Sequence, residues 1–411
     1  MSSHRDPPIP INEARDHLLA SIVALDADER VTLDNANGRI SAEKVVSNID
    51  LPSTYNAAVD GYGVDSESLA IAPGQPFKIV GIARAGHPFE GIIGQGEAIE
   101  IYTGGVMPSG SNCVAMHEDC KRDGDTVLIF KKLFTGSNMR APGENLAKDE
   151  IVVAKGQIIT SALIGQLAAS GTAQIQVQRR LRIAVLSTGD EVVPAGQTAG
   201  FGQIFDANRP MLKAMLKNSQ SELVDYGIVP DSLNALTDAY REALQVADVV
   251  ISSGGASDGI EDHTQEAMQK IGAKCAFWRL AMKPGRPMAV GRFGKKLIFC
   301  LPGNPVAAFV CTRLLIMPLL IRLAGGIPQS LLKLAVPAGF EHQKKAGRTE
   351  FLRVVLVNDG DHQQLQLHGR KGAGVISSLT GADGLVEIPL ENSGVNLGTL
   401  LNFLPFHERG L

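Results

Sequence analysis

The chain has 411 residues, 44% hydrophobic and 20% charged, which excludes a disordered chain and leaves room for roughly two to four domains with substantial cores. A formal net charge of −4 excludes the broad positive field that nonspecific nucleic-acid binding requires. The five cysteines (Cys113, Cys120, Cys275, Cys300 and Cys311) are odd in number and contain no C-x-x-C pair, so a reducing compartment is expected rather than a disulfide framework.

The N-terminal MSSHRDPPIP lacks a basic start followed by an apolar core, and no run of about 18 apolar residues stands out, so a cytoplasmic protein with no membrane partner is expected. Ile11, Ala14, Leu18, Ile22 and Leu25 recur at helical spacing and predict a helix over 11–25. A second helix is predicted over Ser161–Ser170, with Ser161 as N-cap and Gly171 as the stop. Packing of the two helices on each other would make the chain between them an inserted domain.

That insert reads as a small all-β unit, with the short runs FKIVGIA, EAIEIYTGG, NCVAMHE and TVLIFKKLF separated by turn residues. Asp60-Gly61 carries a hairpin-turn signature. Cys113, His117, Glu118 and Cys120 fall within eight residues and admit a metal, but their spacing matches no zinc pattern and buried thiols are the commoner reading of such cysteines.

From Leu181 the pattern alternates. LRIAVLS, ELVDYGIV, Ala247–Ser252 and KKLIFCL read as strands; Pro210–Asn218, Ser232–Val246, His263–Ile271 and Val306–Leu323 read as helices. The tail has the strand-like runs KLAVPAGF, FLRVVLV, QLQLHG, GLVEIPL and TLLNFLPF. The fold class expected is multidomain α/β plus β: a central doubly wound parallel α/β domain with two small β domains and a helical domain. The boundaries expected are 1–50 with 141–180 for a discontinuous helical domain, 51–140 for the inserted β domain, 181–327 for the α/β domain and 328–411 for a β-barrel-like end.

In a doubly wound domain the ligand crevice lies beyond the carboxyl ends of the strands, so those loops hold the candidates. Ser187-Thr188-Gly189-Asp190-Glu191 combines hydroxyls, a glycine and two carboxylates, which suits a cation or a polar ligand. In QIFDANR, either Asp206 or Asn208 suits the N-cap of the next helix. Gly254, Gly255, Ser257 and Gly259 follow a buried strand and precede a helix, an order that leaves backbone N–H groups free to hold an anion. Asp258, Glu261 and Asp262 in the same loop would repel that anion unless a cation lay between; a capping box of Asp262 with Gln265 is the alternative. Arg279, Lys283 and Arg286 flank a stiff Pro284-Gly285 turn and suggest a preorganised oxyanion site. Pro302, Gly303 and Asn304, in LPGNP, start another helix facing the crevice.

Taken in order, STGDE, the glycine loop with its trailing aspartate, FWRLAMKPGRP and LPGNP resemble the molybdopterin molybdenumtransferase family. NAAVDGYGV, IYTGGVMPSG, MRAPGEN and GRTEFLR resemble its motifs outside the α/β domain, so the resemblance spans essentially the whole chain. It implies a four-domain homodimer that takes adenylylated molybdopterin and molybdate, cleaves the adenylate with a divalent cation such as magnesium, and releases AMP and molybdenum cofactor. Its clefts would lie between subunits, with Asp60 and Thr103 reaching in from the partner and Glu191, Asp231 and Asp262 supplying the acidic, cation-binding side. Asp231 also suits a helix cap. Ser187, Thr188, Gly189, Asp190, Asn208, Gly254, Gly255, Ser257, Gly259, Arg279, Pro302, Gly303 and Asn304 would contact substrate, and Lys283, Pro284 and Arg353 would line the oxyanion pocket. Asn145 stands where the family usually has aspartate, Ala373 where it has serine, and Asp258 adds a carboxylate. Alternative readings are a molybdopterin adenylyltransferase, or a weakly catalytic scaffold that binds a partner. Partners of the leading reading would include the adenylyltransferase and molybdoenzymes or their chaperones.

Overall fold

The structure is a computed structural model that describes residues 7–25, 27–71, 74–254, 263–360, 362–370 and 372–406. Helix α1 (Ile11–Ser21) buries Ile11, Ala14 and Leu18, the stripe set by its helical spacing. It ends at Ser21 rather than at residue 25: Ile22 is already extended, and the Leu25 amide donates to the Leu323 carbonyl 2.9 Å away. Strand β1 (Asp28–Thr32) follows.

A six-stranded sheet comes next, built from β2 (Gly61–Val64), β3 (Phe77–Ala83), β4 (Glu97–Ile101), β5 (Cys113–Met116), β6 (Cys120–Asp123) and β7 (Thr126–Ile129), in the order β5-β2-β4-β3-β7-β6. The hairpin expected at Asp60-Gly61 does not form, because Asn56–Ala57 pairs with Met139–Arg140 instead. Gly61 is required for another reason: a Cβ there would lie 1.9 Å from the Ala115 carbonyl oxygen. Cys113 is fully buried in this unit's core, and burial pushes its thiol up to about 12, as it does that of Cys120. Among the described residues no group of His, Cys, Asp and Glu side chains is arranged to hold a metal ion, which overturns the metal reading of Cys113–Cys120.

Helix α2 (Ser161–Ala169) is capped by Thr160, not Ser161; the Thr160 hydroxyl accepts from the Leu163 amide at 3.4 Å. Leu167 packs with Ala36, Leu146, Val153 and Ile175, whereas the α1 stripe joins the central core. The two helices therefore bury their faces in different cores. The segments before and after the insert are tied by strand pairing: β8 (Gln174–Gln178) runs antiparallel to β1 over five residue pairs.

The central layer consists of β9 (Leu181–Thr188), α3 (Asn208–Leu216), β10 (Ser221–Val229), α4 (Leu233–Val246), β11 (Val249–Ser253), α5 (Thr264–Lys270), β12 (Lys274–Arg279), β13 (Pro287–Phe293), β14 (Lys296–Leu301) and helix α6 (Pro305–Leu323). Its sheet runs β10-β9-β11-β14-β13-β12. Ile183, Val185, Val249, Ile251 and Phe299 pack with α6 on one face; Ala184, Leu186, Val250 and Ile298 pack with α4 and α5 on the other. This alternation buries both faces, as a doubly wound sheet requires. The sheet is mixed rather than wholly parallel, since β13 runs antiparallel to both β12 and β14. Helix α6 contains a π turn at Thr312–Ile316 and, contrary to the expectation from sequence, is long and apolar enough to cross a membrane; most of it is buried inside the protein.

The chain closes with β15 (Leu334–Pro337), β16 (Thr349–Asp359), β17 (His362–Leu367), β18 (Gly384–Ile388) and β19 (Leu400–Pro405), in a sheet ordered β16-β18-β19-β15 with β17 on β16. Its outer strand is Met282–Lys283, lent by the central layer and paired in parallel with Thr349–Glu350. Phe406 packs edge-on against Phe309 of α6 at 5.1 Å, with the Arg313 guanidinium 5.2 Å over its ring.

Arg179 ties the end of β8 to the start of β11 by a two-pronged contact with Asp248, both bonds 2.8 Å, and the Arg182 amide adds a third at 2.9 Å. Burial pushes the Asp248 carboxyl up, but the Arg179 guanidinium and that amide outweigh it and hold it below the ordinary carboxylate range. A depressed folded-state pKa stabilises above the unfolded value and loses that contribution as pH falls. Asp248→Asn should therefore cost about 2 kcal/mol near neutral pH, and the gap should close below about pH 4. Urea midpoints of both proteins at the two pH values check this; an unchanged gap in acid would assign the loss to packing instead.

Candidate active site

The carboxyl ends of β9, β11 and β14 meet above the sheet, where the chain leaves β9 toward β10 on one side and β11 lies on the other, a topological switch point. A cavity of about 400 Å³ opens there. Ser187, Thr188, Gly189, Glu191, Asn208, Asp231, Gly254, Gly303 and Asn304, all singled out from sequence, line it together. Its walls are drawn in by side-chain bridges. Asn208 Nδ2 donates to Ser253 Oγ at 2.6 Å and to the Gly303 carbonyl at 2.7 Å, tying α3 to the loops after β11 and β14. Asp206 is the residue that caps α3: its Oδ1 accepts from the Arg209 amide at 3.1 Å and from Ser187 Oγ at 3.0 Å. Sequence reasoning saw Asp206 only as a cap and missed Ile204 and Phe205, exposed apolar side chains that also line the cavity.

Two polar atoms in the wall, Thr188 Oγ1 and Asn208 Oδ1, are buried without a hydrogen-bond partner among the described residues. Such groups cost free energy unless a ligand or water satisfies them, so the cavity is fitted to a polar occupant. Gly254 is forced by φ +96° and by the Thr188 carbonyl oxygen, which would lie 2.2 Å from a Cβ.

Some candidates take other roles. Asp190 lies outside the cavity lining and accepts from the Asp231 amide at 3.0 Å, so it holds the Asp231 loop in place. Arg279 sits at the end of β12 and lines neither this cavity nor the next. Pro302 is buried, its carbonyl facing Ser253 Oγ at 3.5 Å. The amides expected to be free at the start of α6 are partly engaged, since Val306 donates to the Ala373 carbonyl at 3.0 Å. Gly255, Ser257, Asp258, Gly259, Glu261 and Asp262 lie outside the described residues.

A second cavity, about 100 Å³, brings together Lys283, Pro284 and Arg353. Gly285 lets the turn between Lys283 and Arg286 pack on α6, because a Cβ there would lie 2.5 Å from Cys311 Sγ. Arg353 is 7% exposed; its Nε donates to Ser378 Oγ at 3.0 Å and its Nη2 to the carbonyls of Arg370 and Gly372. Burial lowers its pKa, opposed by the charge of Glu350. These bonds aim a cation with no ion-pair partner among the described residues at the cavity. Gly372 and Ala373 line this cavity and Gly374 lines the crevice, so one loop is the wall between the two.

Asp60 and Thr103 are brought to each other on the insert. Asp60 Oδ1 accepts from both the amide and the hydroxyl of Thr103 at 2.7 Å, and these bonds lower its pKa. Neither residue lines the crevice of its own chain. Thr103 lines a separate cavity of about 300 Å³ with Asn56, Arg140 and Asn145.

Residues 9–171 match the family model for the MoeA N-terminal region (domains I and II), 184–322 that for a probable molybdopterin binding domain, and 335–406 that for the MoeA C-terminal region (domain IV). A molybdopterin molybdenumtransferase from Haemophilus influenzae is 32% identical over 406 residues, covering 97% of this chain and 99% of the relative. One from a Nostoc species is also 32% identical, covering 96% and 88%. A solved molybdopterin biosynthesis MoeA protein from Pyrococcus horikoshii aligns with a TM-score of 0.79 at 30% identity, covering 98% of this chain and all of that one. Another structure of that name and organism aligns at 0.85 with 27% identity. A doubly wound sheet with its polar crevice, flanked by two β units, thus makes this an enzyme of the molybdenum-cofactor biosynthetic class. The chain belongs to the molybdopterin molybdenumtransferase family.

Gly254→Ala should cost at least about 3 kcal/mol, because positive φ and a backbone clash add. Gly303→Ala is the control: its Cβ would have 3.8 Å of room, so it should cost under about 1 kcal/mol. Melting temperatures of both variants check the contrast, and equal losses would mean that the close approach at Thr188 is not what fixes the crevice.

Proposed function

We propose that the enzyme inserts molybdate into adenylylated molybdopterin, cleaving the adenylate and releasing AMP. The observation that carries this reading is the pairing of a polar crevice with a basic pocket across the Gly372–Gly374 loop, which suits two anionic substrates that must meet. On this reading, the crevice binds the pterin phosphate, with the Thr188 hydroxyl donating to a phosphate oxygen and Asn208 Oδ1 accepting from an N–H or O–H elsewhere on the ligand. Lys283, Pro284 and Arg353 hold molybdate, the guanidinium by directed charge-assisted bonds and the ammonium as a point charge.

Glu191 and Asp231 face the same crevice, and hard carboxylate oxygens fit a magnesium ion; Asp262 is the third ligand implied by the family resemblance. When bound, the cation supplies neutralisation of phosphate charge. Asp190 keeps Asp231 pointed inward, and the Asp206 bonds keep Ser187 and the start of α3 in line. We also read the chain as four domains with the boundaries given above and as a homodimer in which the partner's insert brings its Asp60–Thr103 pair to the crevice. That Asp60 and Thr103 are bonded together yet lie outside their own chain's crevice supports this reading.

The decisive assay is AMP release from adenylylated molybdopterin with magnesium, with and without molybdate. Release that needs molybdate supports the reading; ATP consumption with plain molybdopterin would make the enzyme an adenylyltransferase. Arg353→Ala should raise the molybdate requirement at least about tenfold with little change in affinity for adenylylated molybdopterin. Equal loss of both would make Arg353 structural. Mixing Asp60→Ala with Glu191→Ala chains should recover activity that neither has alone, because a hybrid dimer carries one intact site; no recovery from verified hybrids would place both residues in one subunit's site.

A further inference from the structure

One end of the crevice carries an apolar step. Val192–Val193 pairs in parallel with Ile204–Phe205, and register sets Val192 beside Ile204 on one face of this two-stranded ribbon. Both line the crevice, as does Phe205. The direction of Val192 is fixed at Gly189, where a Cβ would lie 2.9 Å from Val192 Cγ2 and 2.7 Å from Glu191 Oε2. Ile204 is 57% exposed, yet its backbone is held: its amide donates to the Glu191 carbonyl at 2.8 Å, and the Asp206 amide donates to the Val193 carbonyl at 2.9 Å. A single exposed apolar residue needs no explanation. A paired and rigid apolar step inside a polar crevice is explained when a flat, apolar part of the ligand rests on it.

The occupant also has to bring a hydrogen-bond donor. Asn208 is 8% exposed, and its amide cannot be turned about: the Gly303 carbonyl only accepts, so the group 2.7 Å from it is the NH2, and Oδ1 is the atom left without a partner among the described residues. An ionised phosphate has no proton to offer Oδ1, whereas a nucleoside carries hydroxyl and amino donors. Strand order then says which end of the substrate lies on the step. Gly374 and the loop after β14 close the crevice on one side, β11 comes between, and the Val192–Ile204 ribbon leaves from β9 on the other. The part of the substrate that receives molybdenum has to lie at the wall shared with the Lys283–Arg353 pocket. The adenylate, joined to it through phosphate, therefore lies at the opposite end.

We propose that Val192 and Ile204 seat the adenine ring of the adenylylated substrate, which makes the crevice selective for a nucleotide over a bare phosphate ester. The inference rests on the reading of the enzyme as one that brings adenylylated molybdopterin to molybdate across the Gly372–Gly374 loop. No bond forms or breaks at the step. The flat ring leaves water for branched methyl groups held at fixed spacing, and the phosphate stays with Thr188. Because both residues touch the departing nucleotide and not the reacting atoms, they set KM rather than kcat.

Calorimetric titration of the full-length protein with AMP and with ribose 5-phosphate, both in magnesium, isolates the ring, because the two ligands carry the same charge. Wild type should bind AMP about tenfold more tightly, the worth of burying roughly 60 Å² of ring face. Ile204→Thr keeps the branched shape a strand favours but puts a hydroxyl on the step. It should bring AMP down to the level of ribose 5-phosphate, leave ribose 5-phosphate unchanged, and raise KM for adenylylated molybdopterin with kcat intact. Val192→Thr should act in the same direction. Phe201→Ser is the control, since Phe201 is fully exposed on the chain joining the two strands and does not line the crevice; it should change nothing. Equal affinities for the two ligands in wild type would overturn the proposal even if a variant fails to fold. So would an unchanged AMP preference in Ile204→Thr, or an equal loss in Phe201→Ser. A higher KM for adenylylated molybdopterin with no AMP preference would put the pterin on the step, and that too overturns it. AMP release that does not depend on molybdate would instead remove the function from which the orientation was argued, and this inference with it.

Discussion

The carboxyl ends of β9 and β11 come so close that a Cβ at Gly254 would lie 2.2 Å from the Thr188 carbonyl oxygen, and Gly303 lies over the same point from β14. The Gly254 amide donates to the Leu301 carbonyl at 3.2 Å, so three parallel strands end in direct backbone contact. Everything around the crevice follows from that contact. Asn208 can reach two of the strand ends at once only because they are adjacent.

How much of this could be read from the sequence depends on whether the signal was local. The alternation of Ile183, Ala184, Val185 and Leu186 between two cores is the signature of a strand covered on both faces, and the apolar runs of β11 and β14 announced themselves in the same way. The β12–β13 pair did not, because cations, prolines and glycines between the strands read as a loop. The stripe on α1 was plain, but a stripe says that a face is buried and not against what; α6 rather than α2 covers it. Site residues at strand ends were legible, since the fold class alone says where ligands bind. The meeting of Lys283, Glu350 and His342 was missed because parallel register joins Lys283 to Glu350 and His342 reaches it from a separate strand pair. The signal available was Glu350 and Arg353 set among the apolar residues of TEFLRVVLV, where a buried charge is costly unless paired.

The wall between the two cavities is fastened by main chain: the Ala373 carbonyl accepts from the Val306 amide at the start of α6. Any residue can make that bond. The C-terminal sheet is thus docked on the central layer by backbone at two places, here and at Lys283–Glu350, with Phe406 and Arg313 packed together at a third.

The ladder between β1 and β8 joins residues nearly 150 positions apart and encloses the whole inserted sheet. Closing a loop costs entropy that grows only logarithmically with its length, about 0.6 kcal/mol for each doubling. The insert can therefore lengthen or shorten with little effect on equilibrium stability. The same separation works against speed, since contacts so distant in sequence form slowly. The six-stranded insert, whose own pairings are far more local, has time to assemble before the ladder shuts behind it.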